Sequence, residues 1–113
     1  MNDNLILINK YKMLIDKYSN YLLIFLRKYY SLKDRLENIL FENSREMYII
    51  NSLSDKSLRH VRKEELLGNI KYLNYLFISI NKLDILNDKQ YKVLYISLEE
   101  IYKCLIGWIK IDK

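Results

Sequence analysis

The sequence predicts an all-α fold, an up-down-up-down four-helix bundle. Three observations carry that prediction. The 113 residues hold no proline and only two glycines, so long stretches run without a helix breaker. Apolar residues recur at spacings of three and four along four separate segments, the period of one helix face. The polar links between those segments are short, which sets consecutive helices antiparallel. The length fits one domain, 1–113, and no internal repeat, low-complexity segment or linker divides it.

The first helix is predicted from about Asn4 to Tyr29, with Leu7, Tyr11, Leu14, Tyr18, Leu22, Phe25 and Tyr29 on one face. Ser31 is the expected N-cap of the second, with Asp34 three residues on. That helix runs to about Leu53 on a stripe of Leu36, Ile39, Leu40, Met47 and Ile50, interrupted by Asn43. The third begins in the polar cluster Ser54 to Ser57 and reaches about Leu83, with Leu66, Ile70, Leu73, Phe77 and Ile80 inward. The fourth has the clearest start: Asn87 as N-cap and Gln90 three residues later form a capping box. Tyr91, Leu94, Leu98, Ile101, Leu105 and Trp108 then fall in line, and Gly107-Trp108 places the largest side chain at the helix end.

The third and fourth helices carry more apolar residues than one core needs. Val93, Tyr95, Ile96, Tyr102, Ile106 and Ile109 lie off the main stripe of the fourth, and Leu67, Tyr72, Tyr75, Leu76 and Ile78 off that of the third. A helix that is apolar most of the way round is buried on most sides, so packing against another subunit is expected. The eleven tyrosines suit such a surface, since each ring can pack while its hydroxyl stays wet.

Function classes narrow by what is missing. One histidine excludes metal sites built on His pairs, and no Gly-rich loop precedes a helix to cradle phosphate. The single cysteine, Cys104, excludes an internal disulfide and fits a reducing cytoplasm. Its only conceivable histidine partner, His60, lies on another helix, so Cys104 is expected to be a small buried residue. The adjacent pairs Glu64-Glu65 and Glu99-Glu100 point about 100° apart on a helix and do not form acid–base dyads. No cofactor, catalytic residue or metal ligand is assigned. The polar start Asn2, Asp3, Asn4 does not resemble a signal peptide. The longest apolar run, Tyr21 to Leu26, is far short of the ~20 residues that span a bilayer. No membrane association is expected.

The net charge of +5 and a pI near 9.2 favour polyanions. The segment Lys56-Ser-Leu-Arg-His-Val-Arg-Lys63 places Lys56, Arg59, His60 and Lys63 within an arc of roughly 100°, with Arg62 beside them. Cations at a helix N-terminus oppose the macrodipole by roughly 0.3–1 kcal/mol each, so local stability of that helix does not explain them. A polyanion would, and the alternative is a face neutralised by Asp55, Glu64 and Glu65. Antiparallel packing adds Lys10, Lys12, Lys110 and Lys113 at that end. It gathers Arg27, Lys28, Lys33, Arg35, Lys82, Lys89 and Lys92 at the other. Both ends are candidate nucleic-acid contacts; the Lys56 to Lys63 segment is the first expectation, and the end around Arg27, Lys28 and Arg35 is the second.

The C-terminal third resembles the last helix of the accessory variability determinant proteins of diversity-generating retroelements. Leu83-Asp-Ile-Leu-Asn-Asp-Lys-Gln-Tyr91 is similar to the family's "L-S-D-K-Q-Y" opening. Tyr102-Lys-Cys-Leu-Ile-Gly-Trp108 is similar to its "G-R-M-L-G-G-W" close: Lys103 keeps a cation, Leu105, Gly107 and Trp108 match, and Tyr102 and Ile106 replace glycines. Tyr30-Ser-Leu-Lys-Asp-Arg-Leu-Glu-Asn resembles the opening of the family's second helix, and Asn69-Ile-Lys-Tyr-Leu-Asn-Tyr-Leu-Phe its third. The resemblance implies a ring-shaped homopentamer of four-helix bundles, cytoplasmic and encoded by a bacterium or phage. It would bind a reverse transcriptase, template RNA and cDNA and support mutagenic cDNA synthesis without being an enzyme. It further implies that Lys103 joins the basic surface and that Leu105, Gly107 and Trp108 are structural. One alternative is a related bundle of the kind encoded in ribosomal RNA insertions, an oligomeric binding module. Another is a degenerate bundle RNase, although no Arg stands four to six residues before His60, as those enzymes require.

Overall fold

A computed structural model describes residues 3–21 and 25–112. Every regular element among them is helical: α1 (Asp3–Ser19), a 3-10 turn (Arg27–Tyr29), α2 (Tyr30–Ser52), α3 (Lys56–Lys82) and α4 (Asp88–Ile111). Each helix packs on its neighbours in the chain, and α1 closes the bundle against α4. The extents, 44 × 23 × 19 Å, follow from α3: 27 residues rising ~1.5 Å each give about 40 Å. No helix among the described residues is long and apolar enough to cross a membrane.

The core is built from the predicted stripes. Leu7, Tyr11, Leu14 and Tyr18 of α1 meet Leu36, Leu40, Met47 and Ile50 of α2. Leu66, Ile70, Leu73, Phe77 and Ile80 of α3 meet Leu94, Leu98, Ile101, Leu105 and Trp108 of α4. Leu76 and Ile109, read from the sequence as spare apolar surface, are buried as well. Asn43, the polar interruption of the α2 stripe, is 1% exposed and sits in the core.

The caps explain where two helices begin. The Asp55 carboxylate accepts from Leu58 N at 2.9 Å and starts α3. The Asn87–Gln90 capping box is complete: Gln90 N donates to Asn87 Oδ1 at 2.8 Å, and Asn87 N donates to Gln90 Oε1 at 3.0 Å. In the link before it, Asp84 holds a positive φ of 60°, which aspartate tolerates better than most residues.

Two boundaries differ from the sequence reading. α1 ends at Ser19, not near Tyr29. Ser19 Oγ turns back onto Ile15 O at 2.8 Å, and Asn20-Tyr21 form a turn, so two residues with strong turn chemistry override the stripe beyond them. Leu22, placed on that stripe, lies outside the described residues, and Phe25 reaches the core from a non-helical segment, its ring 6.3 Å from Tyr18. The second correction is the N-cap of α2, which is Tyr29 and not Ser31. The 3-10 turn runs straight into α2, and Tyr29 N and Tyr30 N bond to Leu26 O and Arg27 O, so no side-chain cap is needed.

Candidate nucleic-acid interface

The two ends of the bundle treat their cations differently. At the end formed by the start of α3 and the finish of α4, most are already engaged. Lys63 is 0% exposed. Its ammonium donates to Trp108 O at 2.9 Å and to the Asp112 carboxylate, and lies 4.3 Å from the centre of the Trp108 ring. Arg59 stands 3.5 Å from the same carboxylate. Arg62 pairs with Glu46 of α2 at 2.7 Å, and His60 with Glu64 at 3.4 Å. Lys63 is therefore corrected: a fully buried ammonium cannot meet a phosphate.

This geometry supplies the local reason that the sequence did not reveal. The cations that oppose the dipole of α3 stand at the C-terminus of α4. There the last carbonyls have no intrahelical donor and the dipole is negative. Lys63 satisfies one of those carbonyls. Burial alone would raise the Asp112 pKa, but the hydrogen bond from Lys63 and the charges of Lys63, Arg59 and Lys56 outweigh it and hold it below the usual value. Burial pushes Lys63 down, and Asp112 opposes that shift.

Of the residues that the resemblance makes structural, Leu105 and Trp108 are buried, Trp108 at 1% exposure. Gly107 is corrected: it is exposed, and a Cβ added there would meet nothing within 4 Å, so no close packing requires glycine. Lys56, Lys103 and Lys110 stay exposed and make no ion pair among the described residues, while Lys113 lies outside them. Lys10 bridges to Glu100 at 3.2 Å, and Lys12 lies over the Tyr48 ring.

At the opposite end the cations are open. Arg27 and Lys28 on the 3-10 turn, Lys82 at the end of α3, and Lys89 and Lys92 at the start of α4 are all exposed. None forms an ion pair among the described residues, and only Lys33 is bridged, to Glu37 at 3.8 Å. Tyrosines accompany them: Lys28 lies 5.1 Å over Tyr29, and Lys33 lies 5.3 Å over Tyr30. Arg35, one turn further along α2, is exposed and donates from Nε to Tyr72 Oη at 3.1 Å. The antiparallel topology thus gathers Arg27, Lys28, Lys82, Lys89 and Lys92 into one open cap.

Sequence reasoning missed Asp112, which organises the closed end. Its signal was present: Asp112 falls four residues after Trp108 and continues the α4 stripe, just as Lys63 falls three before Leu66 on that of α3. Two polar residues on apolar stripes at matching levels of antiparallel helices indicate a buried pair. Compared with protein-family models, curated proteins and solved structures, the chain matches none.

Proposed function

We propose that this chain is a non-catalytic accessory subunit that holds RNA or cDNA for a reverse transcriptase, and that the open cap is its phosphate contact. The observation that carries this reading is the cluster of Arg27, Lys28, Lys82, Lys89 and Lys92, exposed with no carboxylate partner among the described residues. An unpaired cation keeps its full charge for a phosphate, whereas one already bridged must first give up its partner. The resemblance of the last helix to the accessory variability determinant family supports the polymerase as the larger partner. The net charge of +5 supports the polyanion.

The test is single-stranded RNA binding at several salt concentrations. Reversing Arg27, Lys28 and Lys82 to Glu is expected to weaken binding, and each lost phosphate contact flattens the dependence of log K on log salt by roughly one unit. Reversing Lys56 and Lys110 is expected to do less. Equal loss from both ends would show that the cap is not the contact.

A second reading, an oligomeric binding module, has its own support. Ile6 and Met13 of α1 and Val93 and Ile96 of α4 are exposed apolar residues on adjacent helices. Light scattering should then give several times 13.8 kDa. A monodisperse monomer at micromolar concentration would overturn both this reading and a ring.

A further inference from the structure

The face between α2 and α3 combines three features. The first is a pair of tyrosines one turn apart on α3. Tyr72 and Tyr75 are stacked, with ring centres 6.2 Å apart and planes 17° from parallel. Tyr75 is 61% exposed, the largest value among the described apolar and aromatic residues. The second is Arg35, whose guanidinium lies 5.8 Å from the Tyr72 ring centre while Nε holds the Tyr72 hydroxyl. The third is a groove of about 260 Å³ running from Arg35 and Tyr72 past Asn38, Glu42, Asn69 and the buried Asn43.

The groove is too small for a drug-sized ligand, whose pockets begin at about 300 Å³. Its lining is mostly apolar, from Ile39, the Tyr72 ring and aliphatic stems, with three amides, a guanidinium and a carboxylate at its edges. Asn43 is 1% exposed, and its amide Nδ2, beside the Tyr11 hydroxyl, makes no well-formed hydrogen bond among the described residues. An unmatched buried donor costs free energy unless something supplies an acceptor. A mostly apolar slot edged by amides, beside a stacked aromatic pair and an arginine plane, is the chemistry that recognises an unstacked nucleobase. The rings take the base face, and the amides take its polar edge.

We propose that the α2–α3 face is a base-stacking platform for single-stranded nucleic acid, with Tyr75 and Tyr72 as the stacking surface and Asn69 and Asn38 as edge contacts. This rests on the nucleic-acid reading above and deepens it. The open cap draws the phosphate backbone, and Arg35 lies on the same end of α2 as Arg27 and Lys28, so one strand can run from the cap onto the platform.

The experiment uses the full chain and fluorescence anisotropy with short oligouridylate and oligoadenylate RNA and with an abasic strand of equal length. Tyr75→Ala is expected to fold normally, since the ring is mostly in solvent. It should bind either RNA about tenfold more weakly, with an unchanged salt slope. Tyr75→Phe should keep most of the affinity. The wild type should bind the abasic strand no better than Tyr75→Ala binds RNA. Equal binding of base-containing and abasic strands by wild type and Tyr75→Ala would overturn the platform and leave the phosphate contact standing. No salt-dependent RNA binding by the wild type would overturn both. A change in the light-scattering mass of Tyr75→Ala would show that the face is covered by a second copy of the chain, which also overturns the platform.

Discussion

The closed end and the open end of this bundle hold similar numbers of cations and do different things with them. At the closed end, Lys63, Arg59 and Arg62 face carboxylates and a helix-terminal carbonyl and are consumed by the fold. At the open end, Arg27, Lys28, Lys82, Lys89 and Lys92 face solvent. A basic segment read from sequence is therefore not a binding site until its counter-charges are placed. Here the denser run, Lys56 to Lys63, is the one that stabilises structure, and the scattered cations are the ones free to act.

The largest test of that contrast is stability. Trp108→Ala and Asp112→Ala are each expected to cost about 3–5 kcal/mol in urea unfolding, the first by opening a cavity and the second by leaving Lys63 buried and unpaired. Lys82→Ala and Lys89→Ala at the open end should stay within about 0.5 kcal/mol. Reversing Arg59, Arg62 and Lys63 together would unfold the closed end and says nothing about RNA. If Asp112→Ala were as mild as Lys82→Ala, the two ends would not differ as described.

Acid sharpens the same comparison. The folded pKa of Asp112 is depressed, so its contribution is present above the ordinary carboxylate pKa of about 3.9 and is lost as pH falls through the lower folded value. The stability gap between wild type and Asp112→Asn should therefore be full near neutrality and shrink in acid. A gap that does not change down to pH 2 would show that the carboxylate is not ionised in the fold.

The smallest effect tests a residue that the sequence made to look important. Gly107 is helical and exposed, with open space at its missing Cβ, so Gly107→Ala should raise stability by about 0.5–1 kcal/mol. A loss instead would reveal a contact at that position made only in an assembly.

The fold was legible because its signals are local. Stripes at three-four spacing, the polar start of α3 and the Asn87–Gln90 box each act within one or two turns. The end of α1 was not legible. Phe25 and Tyr29 keep the helical spacing after the helix has stopped, and only the turn chemistry of Ser19-Asn20 marks the break. The sequence puts the Lys56 to Lys63 end first because pairing, which depends on the register between helices, does not show in it. Arg62 meets Glu46 sixteen residues away, and Lys63 meets Asp112 forty-nine away. A polar residue on an apolar stripe shows no partner when its helix is taken alone. Only their shared level across helices shows that Lys63 and Asp112 belong together.

The clasp at the closed end also gives the molecule a built-in optical probe. Trp108 is the sole tryptophan, and its indole lies beneath a fixed positive charge 4.3 Å away. Its emission will respond to the position of that ammonium and to water entering the closed end, and to little else. Excitation on the red edge of the indole band selects Trp108 from the eleven tyrosines. A strand arriving at the cap should therefore leave the tryptophan spectrum unchanged, while loosening of the helix ends should alter it. The integrity of the closed end can therefore be followed in the unlabelled chain while a labelled strand reports occupancy of the cap.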